Sequence, residues 1–185
     1  MKYIIYILII FICISCKREA DNKEFSIDTN LENAIHTISF VDAFELLKDA
    51  ISTKDTTILN NIFTFPITDP ECIAAAYMFE NDKSIVSLGK NDFYKRYDNL
   101  FPNTFIHSIA KVDANELEKL GEITTEKTTT GNNTYYSNIK YYNNNNMLTI
   151  SLYNMYEEAD MDVEQCYIYT FSMDSLQFIK LQIAG

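Results

Sequence analysis

Two hydrophobic periods divide the chain. Between Phe40 and Leu120, apolar residues recur three and four positions apart, as in helices with one buried side. Beyond Gly121 they alternate, as in half-buried strands. Phe40, Phe44, Leu47 and Ile51 share one helical face, with Asp42, Glu45, Lys48 and Asp49 largely outside it. Ser39, with Asp42 three residues on, predicts the capped start of that helix, and its end falls near Ser52. Asp55 predicts the cap of a second helix with an apolar side of Ile58, Leu59, Ile62 and Phe63. Pro66 stops it, because the residue before a proline is driven towards extended geometry. Asp69-Pro70-Glu71 reads as N-cap, first-turn proline and first-turn acid of a short helix through Ala76. A short strand is expected at Ile85 to Leu88. A helix then opens at Gly89 to Asp92 and carries Phe93, Tyr97 and Leu100 or Phe101, with Pro102 after it. Phe105 to Lys111 adds a turn or two, and Asp113 to Leu120 is a short polar helix ended by Gly121.

The second half reads as a meander. Thr134 to Tyr142 is a tyrosine-rich strand, and four asparagines from Asn143 to Asn146 mark a turn, since Asn tolerates left-handed backbone. In Met147 to Met155, Leu148, Ile150 and Leu152 point one way and Thr149, Ser151 and Tyr153 the other, the mark of a half-buried antiparallel strand. Glu157 to Asp162 reads as an acidic turn. Val163 to Ser172 follows as a strand with Tyr167, Tyr169 and Phe171 on one face. After Met173-Asp174-Ser175, the last strand lines one side with Ile179, Leu181 and Ile183. Helices first and strands last predict an α+β fold, with the N-terminal helices packed on one face of a curved antiparallel sheet.

The first sixteen residues obey neither period. Lys2 precedes an apolar run from Tyr3 to Ile14, then Ser15 and Cys16, and the chain turns polar at Lys17. A charged start, a short apolar run and a small residue before a cut describe a secretory signal. The run is shorter than the roughly 20 residues of a membrane-spanning helix. The Ile14-Ser15-Cys16 end resembles the lipobox of bacterial lipoproteins, whose cysteine is lipidated and becomes the new N-terminus; Cys13 stands where the family usually has Leu. The resemblance implies a signal peptide over 1–15, a lipidated Cys16 with a charged tether over 16–37, and a domain over 38–185. Each buried CH₂ contributes about 0.8 kcal/mol, so two or three acyl chains anchor such a protein stably. Lys17 after the cysteine, where Asp would resemble an inner-membrane retention signal, points to the outer membrane, on its periplasmic or its surface face.

Without the fifteen-residue leader and its one lysine, 170 residues remain, and the formal charge moves from −11 to −12. That length suits one domain. The negative field repels nucleic acid and anionic headgroups, so a nucleic-acid partner is excluded and the lipid must hold the protein against its charge. Cys72 and Cys166 are left after the leader and the lipid take the other two. They have two open fates: a disulfide in an oxidising compartment, or two small buried hydrophobes.

The Phe40 to Ile51 helix, Phe63-Thr64-Phe65-Pro66-Ile67, the Lys90 to Tyr97 segment with Leu100-Phe101, and the closing Ile183-Ala184-Gly185 together resemble the nuclear transport factor 2-like superfamily, which includes ketosteroid isomerase. The resemblance covers roughly 38–185, with Cys72 to Glu80 looking like an insertion. It implies a cone-shaped helix–sheet shell that often encloses an apolar pocket. Enzymes of that superfamily use a carboxylate base with an oxyanion hole, or a His–Asp pair. Neither carries over to His36 or to His107, whose nearest downstream acid, Asp113, is six residues away.

Asp160, Asp162 and Glu164 alternate beside Glu157 and Glu158, but the sharp-turn glycine of a calcium loop is missing. The run reads as a solvated turn, and neither a metal nor a cofactor is expected. Eight tyrosines fall on the strands: Tyr135, Tyr136, Tyr141, Tyr142, Tyr153, Tyr156, Tyr167 and Tyr169. A tyrosine joins a large apolar ring to a polar tip, which suits ligand pockets. Tyr97, Tyr141, Tyr167 and Tyr169 are the candidate lining, against the plainer readings that aromatic residues favour strands and that Tyr97 packs a core. The expected function is that of a non-catalytic envelope lipoprotein binding a small apolar ligand, a peptide or a protein partner through the curved sheet. The alternatives are an isomerase or lyase in the same pocket, and a structural protein whose acidic surface neutralises a basic partner.

Overall fold

The computed structural model describes residues 38–78, 80, 84–131, 133–158 and 161–185, the last two segments without the side chains of 156–158 and 161–163. The leader, Cys16, the tether and His36 lie outside the described residues. Helix α1 spans Phe40–Thr53. Ser39 accepts the Asp42 amide at 3.1 Å, so the expected N-cap forms, while the Asp42 carboxylate turns back to take the Ser39 hydroxyl at 2.7 Å instead of its backbone amide. Phe44, Leu47 and Ile51 are fully buried. Lys48 corrects the sequence reading, because it is buried rather than outside the apolar face. Its ammonium reaches the Val112 carbonyl at 2.8 Å and Glu45 at 2.7 Å. A four-carbon stem can lie along apolar surface while its charged end finds a carbonyl, so helical position alone misplaces lysine.

Asp55 caps α2 (Thr56–Ile62) through the Thr57 and Ile58 amides, and Asp69 caps α3 (Pro70–Ala76) through the Cys72 amide. The expected strand at Ile85 to Leu88 reduces to one bridge, with Ile67 and Leu88 exchanging both backbone hydrogen bonds. The next helix is broken at Arg96 into α4 (Lys90–Lys95) and α5 (Tyr97–Leu100). Arg96 forks onto Glu80 at 2.7 and 2.9 Å and stacks on Tyr77, which raises its guanidinium pKa chiefly through the Glu80 hydrogen bonds. Helix α6 (Asn103–Ala110) starts two residues before the sequence reading. Helix α7 (Ala114–Leu120) ends at Gly121, which holds φ +75.

Six strands follow: β1 (Glu122–Thr124), β2 (Thr128–Thr130), β3 (Asn133–Tyr142), β4 (Met147–Glu158), β5 (Met161–Ser172) and β6 (Gln177–Ala184). All pairings are antiparallel. The order is β1-β3-β4-β5-β6, with β2 beside β1 on the same edge of β3, in a curved sheet that does not close on itself. The fold is therefore α+β with helices leading and strands closing. Two short strands, β1 and β2, escape sequence reading because three residues are too few to show alternation. Glu157 and Glu158 belong to β4 and Met161 and Asp162 to β5, paired Glu157 with Asp162 and Glu158 with Met161, so the strands run further into the acidic stretch than the sequence reading allows.

A β-bulge corrects the last strand. Phe171 pairs with Phe178 and Thr170 with Lys180, so Ile179 is the extra residue and is half-exposed rather than inward. Phe178 takes the inward place and packs on Phe63 at 4.9 Å between ring centroids. One extra residue reverses the facing of every position before it, which a strict period of two cannot reveal.

The helices cover the sheet face carrying Ile139, Ile150, Tyr169 and Leu181, all at most 2% exposed. Aromatic rings fill the space between. Phe105 and Phe101 lie 4.4 and 5.7 Å from Tyr169, and Phe101 packs on Tyr97 and Phe63. Such ring pairs add roughly 0.5–1.5 kcal/mol each beyond the area they bury.

Candidate functional site

Side chains two apart on a strand share a face, so the inner face of the sheet can be followed row by row across β3, β4 and β5. Tyr141, Leu148 and Phe171 form one row. Ile139, Ile150 and Tyr169 form the next, then Ser137, Leu152 and Tyr167, then Tyr135, Asn154 and Gln165. The first three rows are buried, whereas all three residues of the last are only half-buried. Apolar lining thus gives way to carboxamides where the helical layer ends.

Above that end lies a cleft of about 700 Å3. Its floor is the Tyr135, Asn154 and Gln165 row with Tyr167 and Tyr169 behind it. Its opposite wall is the α5–α6 corner, with Asp98, Asn99, Asn103 and His107. Asn99 is held in place by its amide donating to the Ala76 carbonyl at 2.9 Å. Tyr169 is anchored by its hydroxyl, which donates to the Leu100 carbonyl at 2.6 Å, and burial pushes its pKa well above the ordinary tyrosine value. No hydrogen bond joins the side chains of Tyr135, Asn154, Gln165 or Asn103 to other described residues.

Of the four candidate pocket tyrosines, the structure brings Tyr167 and Tyr169 to the cleft and puts the other two elsewhere. Tyr97 is a core residue, 1% exposed. Its hydroxyl donates to the Ile51 carbonyl at 2.7 Å, and its pKa is raised mainly by burial. Tyr141 stacks on Phe40 at 3.7 Å between centroids and donates to Asn146, which in turn donates to Asp174. That chain ties two hairpin turns together at the far end of the sheet. The carboxamides of the cleft went unremarked in the sequence. Asn154 and Gln165 stand out only once register sets them side by side among apolar rows.

His107 and Asp98 line the same cleft, but neither is dry. His107 is exposed, and Asp98 is exposed and paired with Lys54 at 2.6 Å. The arrangement can bind and orient a ligand through rings and amides, yet it presents no buried acid–base pair among the described residues. No described cluster of acidic, His or Cys residues has the grouping of a metal centre.

Cys72 and Cys166 are both buried free thiols, so the disulfide left open by the sequence is not formed. Cys72 lies in the core under α3. Cys166 neighbours the inward-facing Tyr167 on β5 and so faces the opposite side, where it adjoins Tyr153 in register. The sheet stands between the two sulfurs. Burial pushes the Cys72 thiol up to about 12, with Asp69 adding to the effect, and burial also raises Cys166. Neither is poised as a thiolate nucleophile.

Among the described residues, no helix is long and apolar enough to cross a membrane. No family model, curated protein or solved structure matches the chain.

Proposed function

We propose that this chain is an envelope lipoprotein, held at the outer membrane by acyl chains on Cys16, whose domain is a non-catalytic binding module. The observation that carries the binding role is the cleft: about 700 Å3, lined by tyrosine rings and by carboxamides of which Asn103, Asn154 and Gln165 have no hydrogen-bond partner among the described residues, on a continuously paired sheet. Ligand sites commonly occupy roughly 300–1,000 Å3 with a few placed polar groups. The order of elements, with capped helices leading into an antiparallel meander that they cover on one face, supports a nuclear transport factor 2-like shell. The Lys2 to Cys16 leader supports the address.

An isomerase or lyase is the weaker reading. General acid–base chemistry of that kind relies on groups shifted by a dry site, and Asp98 and His107 both stand in water.

Two measurements test the proposal. Labelled palmitate fed to growing cells is expected to mark the protein and to leave a Cys16→Ser variant unmarked in the soluble fraction; an unlabelled wild type overturns the anchor. A pull-down from detergent-solubilised envelope, with mass spectrometry of bound lipids, glycans and proteins, is expected to recover a ligand that a Tyr167→Ala variant loses. Equal recovery by both, or none above control, overturns the cleft as the binding site.

A further inference from the structure

The cleft lining is selective in its chemistry. The domain belongs to a chain with a formal charge of −11, yet among the described residues the cleft has, besides its tyrosines, only Asp98 and His107 as ionisable side chains, and Asp98 is engaged by Lys54. Among the described residues no lysine or arginine lines it, so that lining offers no fixed cation for phosphate or carboxylate. Nor do its described residues group carboxylates for a cation. An acyl chain is equally ill-suited. It would strip water from the carboxamides of Asn154, Gln165 and Asn103 and return no hydrogen bond, at a cost of about 1–3 kcal/mol for each such group.

What remains is a neutral ligand dense in both donors and acceptors. Each carboxamide supplies two N–H donors and a carbonyl acceptor, which is what a hydroxyl needs, since it gives one hydrogen bond and takes others. Asn154 and Gln165 are direct partners on adjacent strands, about 4.8 Å apart across the sheet. Their side chains therefore leave the same face of the sheet side by side, close enough for one sugar ring to reach both amides. Tyr135 completes the row beside Asn154, offering an aromatic face for the C–H side of a ring and a hydroxyl free of described partners. Backbone pairing cannot compete for the ligand here. Strand β4, at the middle of the row, is already bonded on both edges, so recognition rests with side chains rather than with addition of a peptide strand.

We propose that the open end of the sheet's inner face, built on Tyr135, Asn154 and Gln165, binds a neutral saccharide. The proposal rests on the cleft being a binding site and names what it binds. The test is calorimetric titration of the full chain in detergent with three neutral trisaccharides (N-acetylchitotriose, maltotriose and mannotriose), and with palmitate and trialanine as competing chemistries. At least one trisaccharide is expected to bind. Asn154→Leu and Gln165→Leu are each expected to weaken it tenfold or more with an unchanged melting temperature, and Asn154→Gln to retain part of the affinity. Binding of palmitate alone, strengthened by the leucine variants, overturns the saccharide but leaves a binding cleft. Binding of trialanine alone does the same in favour of a peptide. Trisaccharide binding that the leucine variants leave untouched overturns this location, and silence from all three trisaccharides overturns the proposal.

Discussion

At Ile139, Ile150 and Tyr169 the inner face of the sheet is dry and covered by rings from α6 and the corner before it. Four residues away on the same three strands, Tyr135, Asn154 and Gln165 face an open cleft. Backbone pairing is continuous through both regions, so the sheet does not need the helices to keep its register there. The covered rows supply burial and leave no room for a ligand. The open row contributes little burial and so is free to carry polar groups. If the cleft binds as proposed, stability and recognition are divided along the strands, with the covered half holding the open one in place.

The largest test of that division is Phe105→Ala, which removes a fully buried ring from against Tyr169. A loss of about 3–5 kcal/mol is expected in urea unfolding. A loss of similar size from Asn154→Ala would erase the contrast. Tyr169→Phe is expected to cost about 1–3 kcal/mol, because it strands the buried Leu100 carbonyl that the hydroxyl now satisfies. Gly121→Ala is expected to cost about 1–2 kcal/mol. The residue holds φ +75 at the end of α7, and the nearest atom to an added Cβ, the Tyr141 carbonyl oxygen at 3.7 Å, is in ordinary contact, so the penalty is conformational. The smallest effect belongs to the cleft: Asn154→Leu and Gln165→Leu are expected to stay within about 0.5 kcal/mol of wild type.

The same comparison can be sharpened by pH. In the covered half, burial raises the pKa values of Cys72, Tyr97 and Tyr169, so the folded chain holds those protons after the unfolded chain has released them. Above the unfolded values the unfolded state binds fewer protons, so stability falls as pH rises. Loss should begin near the ordinary thiol value of 9.0 and continue through about 12, where Cys72 itself titrates. Below pH 9 these three groups contribute no pH dependence. Cys166 is raised from the same value by burial, so unfolding curves across pH 8–11 should show the decline beginning later in the double variant Cys72→Ala, Cys166→Ala. An unchanged onset would mean the thiols are not what sets it.

Much of the architecture was readable because it is encoded locally. Ser39, Asp55, Asp69 and Asp113 accept hydrogen bonds from amides two or three residues ahead, so a cap and its helix stand together in the sequence. Leu148, Ile150 and Leu152 betray their strand by alternation over a few positions. The misreadings share the opposite property. Lys48 is buried by a carbonyl 64 residues away, and Ile179 is turned out by a bulge defined only against β5; the choice left open at Cys72 and Cys166 likewise fell to the sheet that stands between them.

By itself the sequence determined the caps, the periods and so the order of helices and strands, because each depends on neighbours within a turn or a pleat. It also set the acidic charge, which is a sum over residues and needs no geometry. The site was decided only by tertiary structure. Tyr167 and Tyr169 reach the cleft while Tyr97 and Tyr141 do not, and Asn154 and Gln165 become a pair only through strand register. The physical reason is that a cleft forms where one layer stops short of another, and that boundary is a property of how helices lie on a sheet, with no counterpart along the chain.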